Sequence, residues 1–460
     1  MFNKDVYIRR RKALIDKLSG ENGIVLFLGN ADAPAQYADN CYKWRQESSW
    51  LYFFGIDEPK YAAIIDLDNN TETIFADDPD LDDIIWTGPL PSVKEQAEAI
   101  GIYSSEPYCK LDWAVSEAII KGRRIHTIPY SRYYNKLKLQ KLGVDKVSEA
   151  LVKAIIQLRL VKEDIEIKEI DDACTLGQQM HTIARRGIKV GTIEQDIVGE
   201  MEGFSLSKGW GVSFQTILTQ HGEIFHCHSH DCGIAPGKLL VIDAGLESNS
   251  HYASDFTRTY PTGGKFTSKQ RDVYQIVCDC NEYAFNLTAP GKTYREIHIA
   301  VARKMLEGLS SIGIIKGSDF DTMALEGVAG LFMPHGLGHN MGLDVHDMEN
   351  LGEDLVGYDP DQKRADQLGL GSLRMARRLV PGHVISDEPG IYFIPQLIEK
   401  WESEGKFSDF INYAKLREYF DFGGIRLEDD VVVTADGARR LGANRLPITP
   451  DDVEYAMKND

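Results

Sequence analysis

At 460 residues the chain is long enough for two domains, each with its own hydrophobic core. A hydrophobic content of 43% and an aromatic content of 10% fit a globular protein rather than a disordered or membrane one. The formal charge of -19 disfavours nucleic acid and an anionic membrane as partners, since either would need clustered Lys and Arg.

The first segment, MFNKDVYIRRRKALIDKL, predicts a helix over roughly 4–18. It lacks the continuous apolar core of a signal peptide, so the cytoplasm is the expected location. Its basic run, Arg9, Arg10, Arg11 and Lys12, reads as a solvated helix face. A strand over 24–28 follows, then the aromatic-rich WRQESSWLYFFG, then YAAIIDLD and TETIFADD around an Asn-Asn turn. This alternation predicts an α/β domain over residues 1–158 with no evident catalytic cluster. Seven cysteines, an odd number, argue against a disulfide framework.

Beyond LRLVKEDIEIKE, the residues Ile167, Ile170, Ala173, Leu176, Met180 and Ile183 recur at steps of three and four, predicting a long amphipathic helix that ends near Gly187. Thr192 and Gln195 have capping-box spacing and predict the start of a second helix. The same order returns with a helix from about Ser268, a stop at Ala289-Pro290-Gly291, and Thr293 with Glu296 as another capping box. Each time a Pro-Gly turn then leads into an apolar strand that ends in an acid: Asp243 in PGKLLVIDAG and Glu388 in PGHVISDEPG, about 145 residues apart. The repeat predicts two related halves facing each other across a pseudo-two-fold axis, with a mixed or antiparallel sheet between them and helices outside.

Each of these acids is followed by another in an extended segment, Asp255 in ASDFTRTYP and Glu428 in GIRLEDDVVVT. A hairpin through LESNS is expected to bring Asp243 and Asp255 across from one another, and Arg426 shares the strand face of Glu428. Any one of these acids alone reads as a solvated or salt-bridged side chain. The histidines change that reading. MPHGLGHNMGLDVHD carries His335, His339 and His346 among glycines that let backbone come close to a site. Four carboxylates with one imidazole suit two divalent ions of the Mn, Zn or Co type. A water between such ions loses a proton near neutral pH, which makes the centre hydrolytic.

The run HCHSHDC, with His226, His228, His230 and Cys232, is too tightly spaced for a structural zinc site. Strand-like alternation would put its histidines on one face, one turned to a substrate and the others structural. His126, His181 and His298 are isolated, and His221, His251 and His383 have no assigned role.

Taken together, HGLGHNMGLDVHD, DEPGIYF, GIRLEDDVVVT and the paired Asp strands resemble the pita-bread metallopeptidases that cleave next to proline. WRQESSWLYFFGIDEP is similar to the smaller domain shared by prolidases and aminopeptidases P, so the resemblance covers nearly the whole chain. It implies a creatinase-like α/β domain over 1–158 and a pita-bread catalytic domain with pseudo-two-fold halves over 159–460. It also implies that Asp243, Asp255, His339, Glu388 and Glu428 hold two divalent ions, Mn²⁺ first, with Zn²⁺ or Co²⁺ as alternatives. Asp255 and Glu428 would bridge the ions, Asp243 would hold one, and His339 with Glu388 the other. By the same resemblance, Glu388 shuttles a proton for a hydroxide bridging the ions. His226 and His346 bind the substrate and stabilise its oxyanion, His335 supports the substrate site, and Arg426 orients the carboxylates. A homodimer is implied as well. Asp243 and Asp255 lie 12 residues apart, one more than the family pattern, which assigns the extra residue to the LESNS turn, away from the metals.

Cleavage before proline serves two activities. A dipeptidase must recognise the free carboxylate after proline, whereas an aminopeptidase P must leave room for more chain. Between DVHD and DEPG the sequence inserts a long segment whose SLRMARRL portion resembles eukaryotic-type prolidases, with Arg374 matching the arginine that holds the dipeptide carboxylate. Without the family, Arg374, Arg377 and Arg378 read as a solvated surface loop. The expectation is therefore hydrolysis of Xaa-Pro dipeptides. The alternatives are removal of the first residue from longer Xaa-Pro peptides and, more remotely, a metal-free or non-catalytic pita-bread relative.

Overall fold

A computed structural model describes residues 2–459. The chain divides into two compact units, Met1–Arg159 with Asn350–Gly352, and Leu160–Glu349 with Glu353–Asp460. No helix among the described residues is long and apolar enough to cross a membrane.

The sheet of the first unit comprises β1 (Ile24–Leu28), β2 (Ala62–Asp66), β3 (Thr71–Phe75), β4 (Ser105–Glu106) and β5 (Ile125–His126), in the order β4-β3-β2-β1-β5. β1, β2 and β3 are antiparallel neighbours, and β4 and β5 join the two edges in parallel. The apolar run of β1 is buried along its whole length, as a strand covered on both faces requires. At the β2–β3 turn the Asp66 carboxylate accepts from the backbone of Asp68 and Asn69 at 3.0 Å, and Asn70 takes the left-handed conformation its side chain tolerates.

The basic run of the first helix, Lys4–Lys17, is only half the solvated face expected of it: Arg9 and Lys12 are exposed, whereas Arg10 and Arg11 are buried. Arg11 Nε reaches Glu72 Oε1 at 2.9 Å, and its two Nη atoms donate to the carbonyls of Phe53 (3.1 Å) and Ile100 (2.9 Å). Arg10 donates to the Tyr52 carbonyl and lies over the Tyr52 ring, 3.9 Å from its centroid. A guanidinium has five donors in a fixed plane, so backbone carbonyls and one acid can satisfy it away from water.

The second unit repeats one plan. In its first half the helices Asp164–Gly187 and Glu194–Lys208 precede β6 (Gly211–Val212), β7 (Ile217–Thr219), β8 (Leu239–Ala244), β9 (Leu246–Glu247) and β10 (Phe256–Pro261). In its second half Ser268–Leu287 and Tyr294–Ser311 precede β11 (Val384–Asp387), β12 (Gly390–Tyr392), β13 (Gly424–Arg426), β14 (Asp429–Val433) and β15 (Ala438–Arg440). β7-β8-β10 and β11-β14-β15 are antiparallel ladders, and β12-β13 carries the second ladder onward in the same register.

The two capping boxes expected in this unit differ in outcome. Glu296 N donates to Thr293 Oγ1 at 3.2 Å and Thr293 N to Glu296 Oε2 at 2.8 Å, which closes the box before Tyr294–Ser311. Thr192 and Gln195 form no such box. Their helix starts at Glu194, where the amides of Glu194 and Gln195 donate to the carbonyls of Cys232 (3.0 Å) and His230 (2.8 Å). Returning backbone satisfies the orphan amides that a threonine hydroxyl would otherwise take.

The halves meet where Thr257 pairs with Glu428, whose amide donates to the Thr257 carbonyl at 3.0 Å. The buried Arg258 staples this seam, with Nη1 donating to the carbonyls of Thr257 (2.9 Å) and Glu428 (2.7 Å) and Nη2 to Asp429 Oδ1 (2.5 Å).

In the first unit, Arg11→Ala strands one carboxylate and two carbonyls at once. It is expected to lower stability by about 3 kcal/mol, read as a reduced urea midpoint. Arg11→Lys should recover only part of the loss, because one ammonium cannot span three acceptors spread around a plane.

Candidate metal centre

Asp243 is the fifth residue of β8, and Asp255 immediately precedes β10. The register pairs Asp243 with Thr257, so Asp255 lies two residues farther along the same face, diagonal to Asp243 and not opposite it as the hairpin reading expects. The reason is where the hairpin closes. Glu247 bridges Ala253, and the turn spans residues 248–252, with Ser248 N bonded to Tyr252 O at 2.9 Å. Gly245 stands beside Asp255 because a Cβ there would come 1.8 Å from the Ser254 carbonyl.

In the second half, the register that pairs Asp387 with Asp429 and Gly390 with Arg426 brings Glu388 and Glu428 abreast. Thr257 Oγ1 donates to Glu428 Oε2 at 2.6 Å, so the seam also aims that carboxylate. Asp255 N donates to Asp430 Oδ2 at 2.8 Å, and Cys174 Sγ approaches the same oxygen at 3.2 Å.

His339 is fixed on both sides. Its amide donates to Ser386 Oγ and its carbonyl accepts from Ser386 N, each at 3.0 Å. Gly338 permits this approach, since a Cβ there would sit 2.1 Å from the Ser386 carbonyl. Nδ1 lies 3.2 Å from the Asn340 carbonyl, which can only accept, so Nδ1 carries the proton and the Nε2 lone pair is free to ligate. Nε2 is 3.3 Å from Asp255 Oδ2 and 3.9 Å from Glu388 Oε1. Ligand atoms of Asp255, His339 and Glu428 all lie within 4.8 Å of one another.

The electrostatics of this cluster favour cations. Asp255 and Glu428 are pushed well above the carboxylate range, first by burial and then by their acidic neighbours, and burial also raises Glu388. Asp243 Oδ1 and Asp255 Oδ1 are buried and accept no hydrogen bond. Orphaned carboxylate oxygens around an imidazole lone pair fit divalent metal ions, which would neutralise the acids and occupy those lone pairs.

Arg426 braces the edge of the cluster, with Nη2 on Asp243 Oδ2 (2.5 Å), Nε on Thr257 Oγ1 (3.1 Å) and Nη1 on the Tyr392 hydroxyl (2.9 Å). His335 Nδ1 donates to the Gly336 carbonyl at 2.7 Å, so its Nε2 accepts from Tyr392 at 2.9 Å. Burial, and then Arg426, push the His335 imidazole down to about 3, so it is neutral.

A cavity of about 720 Å³ is lined by all ten of the residues singled out above: His226, Asp243, Asp255, His335, His339, His346, Arg374, Glu388, Arg426 and Glu428. His346 stacks toward His339 with ring centroids 4.2 Å apart. Of the three arginines in SLRMARRL, Arg374 alone lines the cavity. Arg377 ties to Asp359 and to the carbonyls of Leu355 and Val356, and Arg378 to the Gly291 carbonyl.

HCHSHDC forms no strand, and only two of its three histidines share a side. His226 and His228 both line the cavity, while His230 is buried elsewhere with Nδ1 3.1 Å from the Leu218 carbonyl. His228, Phe225, Glu353, Arg364 and the tyrosine of DEPGIYF, Tyr392, escaped the sequence reading. Nothing local marks them: Glu353 opens a short helix, Tyr392 reaches the site through other side chains, and the rest come from loops.

Residues 168–435 match the profile of metallopeptidase family M24, and residues 7–126 match that of the aminopeptidase P N-terminal domain. A human Xaa-Pro dipeptidase is 30% identical over 448 residues, covering 94% of this chain and 88% of the human protein. A probable Xaa-Pro aminopeptidase from Uncinocarpus reesii is 29% identical over 467 residues, covering 98% and 93%. Among solved structures, aminopeptidase P from Escherichia coli with the inhibitor Pro-Leu is 28% identical, covers 99% of this chain and 98% of its own, and has a TM-score of 0.80. Proline aminopeptidase P II from Yersinia pestis is 28% identical over 100% of both chains, with a TM-score of 0.81. Both profiles match, and the whole of the site lies within residues 168–435, so the chain belongs to metallopeptidase family M24 and carries an aminopeptidase P N-terminal domain.

Proposed function

We propose that this M24 metallopeptidase hydrolyses the peptide bond preceding proline in Xaa-Pro dipeptides. The observation that carries the dipeptide reading is Arg374, whose guanidinium stands in the wall of the cavity that contains the acids and His339. A fork of N–H donors at that place suits the free carboxylate that only a dipeptide has directly after its scissile bond. Aminopeptidase P activity is the second reading. It is favoured by the two acids, Glu349 and Glu353, that already pair with Arg374.

Asp243, Asp255, His339, Glu388 and Glu428 are the proposed ligands of two divalent ions. Asp255 and Glu428 would be shared by the two ions, Asp243 would hold one, and His339 with Glu388 would hold the other. The clustering of Asp255, His339 and Glu428 supports His339 sharing its ion with both bridging acids. Mn²⁺ is the proposed occupant, because a site dominated by carboxylates suits it, with Zn²⁺ and Co²⁺ as alternatives. Bound there, the ions acidify a water and polarise the scissile carbonyl.

The chain's own groups do the rest. Glu388, at the edge of the cluster, takes up the proton released in the attack and returns it to the departing proline nitrogen. His226 and His346 border the same cavity and are assigned to the carbonyl oxygen as it gains charge. Since Glu349 lies 3.3 Å from Nδ1 of His346, the other ring nitrogen is the one offered to the substrate. His335 borders the substrate and reaches Arg426 through the Tyr392 hydroxyl, and Arg426 keeps Asp243 aimed.

We read residues 1–158 as the N-terminal domain and 159–460 as the catalytic one, a division supported by the compact units that part between Arg159 and Leu160. A cytoplasmic homodimer is the proposed state. The odd number of cysteines supports the compartment, and the exposed Leu81, Ile85 and Trp86 supply apolar surface for association.

Two measurements test the activity. Ala-Pro is expected to be turned over with a higher kcat/KM than Ala-Pro-Ala; efficient turnover of the tripeptide alone would replace the dipeptidase reading with the aminopeptidase one. Dialysis against a chelator should abolish hydrolysis and added Mn²⁺ should restore it. His339→Ala and Asp255→Ala should each lose bound metal by elemental analysis, with kcat/KM falling on the order of 10³-fold. Full metal content in either variant would remove that residue from the ligand set.

A further inference from the structure

Glu349 touches two residues that have proposed substrate roles. Its Oε2 accepts from Arg374 Nη1 at 2.6 Å and lies 3.3 Å from His346 Nδ1. Glu353 Oε2 takes the same Arg374 nitrogen at 3.2 Å, while Glu353 Oε1 is 2.6 Å from Arg364 Nη2. Both acids therefore hold one corner of the Arg374 guanidinium, and among the described residues none engages its Nε or Nη2. Those two nitrogens form the edge of the fork that takes a carboxylate through parallel bonds. A guanidinium pinned at Nη1 offers that edge in one orientation, with its torsional freedom already spent.

We propose that Glu349 is the positioning residue of the site that receives the carboxylate of an Xaa-Pro dipeptide, its one carboxylate oxygen fixing Arg374 and His346 together. The group that reads the end of the substrate and the imidazole beside the scissile bond are thereby set at a constant separation. Glu349 is better suited to this than Glu353. Its side chain is 20% exposed against 36%, and Glu353 divides its oxygens between two arginines. Burial raises the Glu349 carboxyl, but His346 and Arg374 more than offset it, so the acid stays charged beside both partners. The opposite role is also physically definite: a carboxylate sitting on Arg374 could instead compete with the substrate's own.

The assignment rests on the dipeptidase reading, and a double-mutant cycle separates the two. Steady-state constants for Ala-Pro and Ala-Pro-Ala are measured on the Mn²⁺-loaded full chain as wild type, E349Q, R374A and the double variant. E349Q, nearly isosteric, is expected to raise KM for Ala-Pro about tenfold, the loss of a charge-assisted hydrogen bond. It should also lower the Ala-Pro to Ala-Pro-Ala ratio of kcat/KM. In the R374A background the same change should add less than about twofold, because Glu349 acts through Arg374. An unchanged or lowered Ala-Pro KM in E349Q, with R374A still raising it, overturns the positioning role and leaves the dipeptidase reading intact. Equal factors in both backgrounds also overturn it, as they would mean an effect that bypasses Arg374. If R374A itself leaves the Ala-Pro KM unchanged, both the positioning role and the dipeptidase reading fall.

Discussion

Like charges have to share a buried space in this protein, and the fold is arranged to hold them there. Two carboxylates 4 Å apart repel by roughly 4 kcal/mol at an effective dielectric constant near 20, so attraction between side chains cannot assemble the cluster. Backbone pairing does it. The Thr257–Glu428 bridge sets the two halves in register, and Thr257 then serves three ends: its carbonyl takes the Glu428 amide, its hydroxyl aims the Glu428 carboxylate, and the same hydroxyl accepts from Arg426. Arg426 opposes Asp243, but one guanidinium cannot balance four acids. The remaining charge is what gives the site its affinity for cations.

Strand geometry explains how three consecutive acids acquire three fates. In LEDD, Glu428 faces the cluster and is pushed up by burial and by Asp255, Glu388 and Asp243. Asp429 points to the other side, where Arg258, Arg440 and Arg445 outweigh its burial and hold it below the carboxylate range. Asp430 returns to the face of Glu428 but accepts the Asp255 amide and the Cys174 thiol, and burial pushes it up to about 8. Alternation along the chain thus separates an acid of the buried cluster, a structural ion pair and a backbone anchor within three residues.

The substrate end depends on a different part of the chain. Asp354, Arg364, Glu353, Arg374, Glu349 and His346 form a ladder of alternating charge that runs from an exposed acid to the imidazole beside His339. All but His346 come from the segment between DVHD and DEPG. In the proposed function the repeated halves supply the centre that activates water, while this single, unrepeated insertion shapes the substrate end. Function is divided between the two in the way that loops on a rigid scaffold usually divide it.

The amino-acid sequence by itself determined the elements and the chemistry. Periodicity located the long helices, the Pro-Gly strands disclosed the repeat, and that Asp243, Asp255, His339, Glu388 and Glu428 share one cavity was legible because each sits in a motif whose residue types are unusual together. What the sequence could not decide is what depends on distant neighbours. Arg10 and Arg11 look like a solvated face until carbonyls from 42 and 89 residues away accept their hydrogen bonds. Thr192 looks like a cap until the backbone at 230 and 232 displaces it. His228 joins the cavity, and Asp255 sits diagonal to Asp243, only because of where a loop folds and where a hairpin closes, while Tyr392 reaches the site only through Arg426 and His335. Local patterns carry residue type and period, whereas burial, register and the pairing of charges are properties of contacts between segments, and those exist only once the chain has folded.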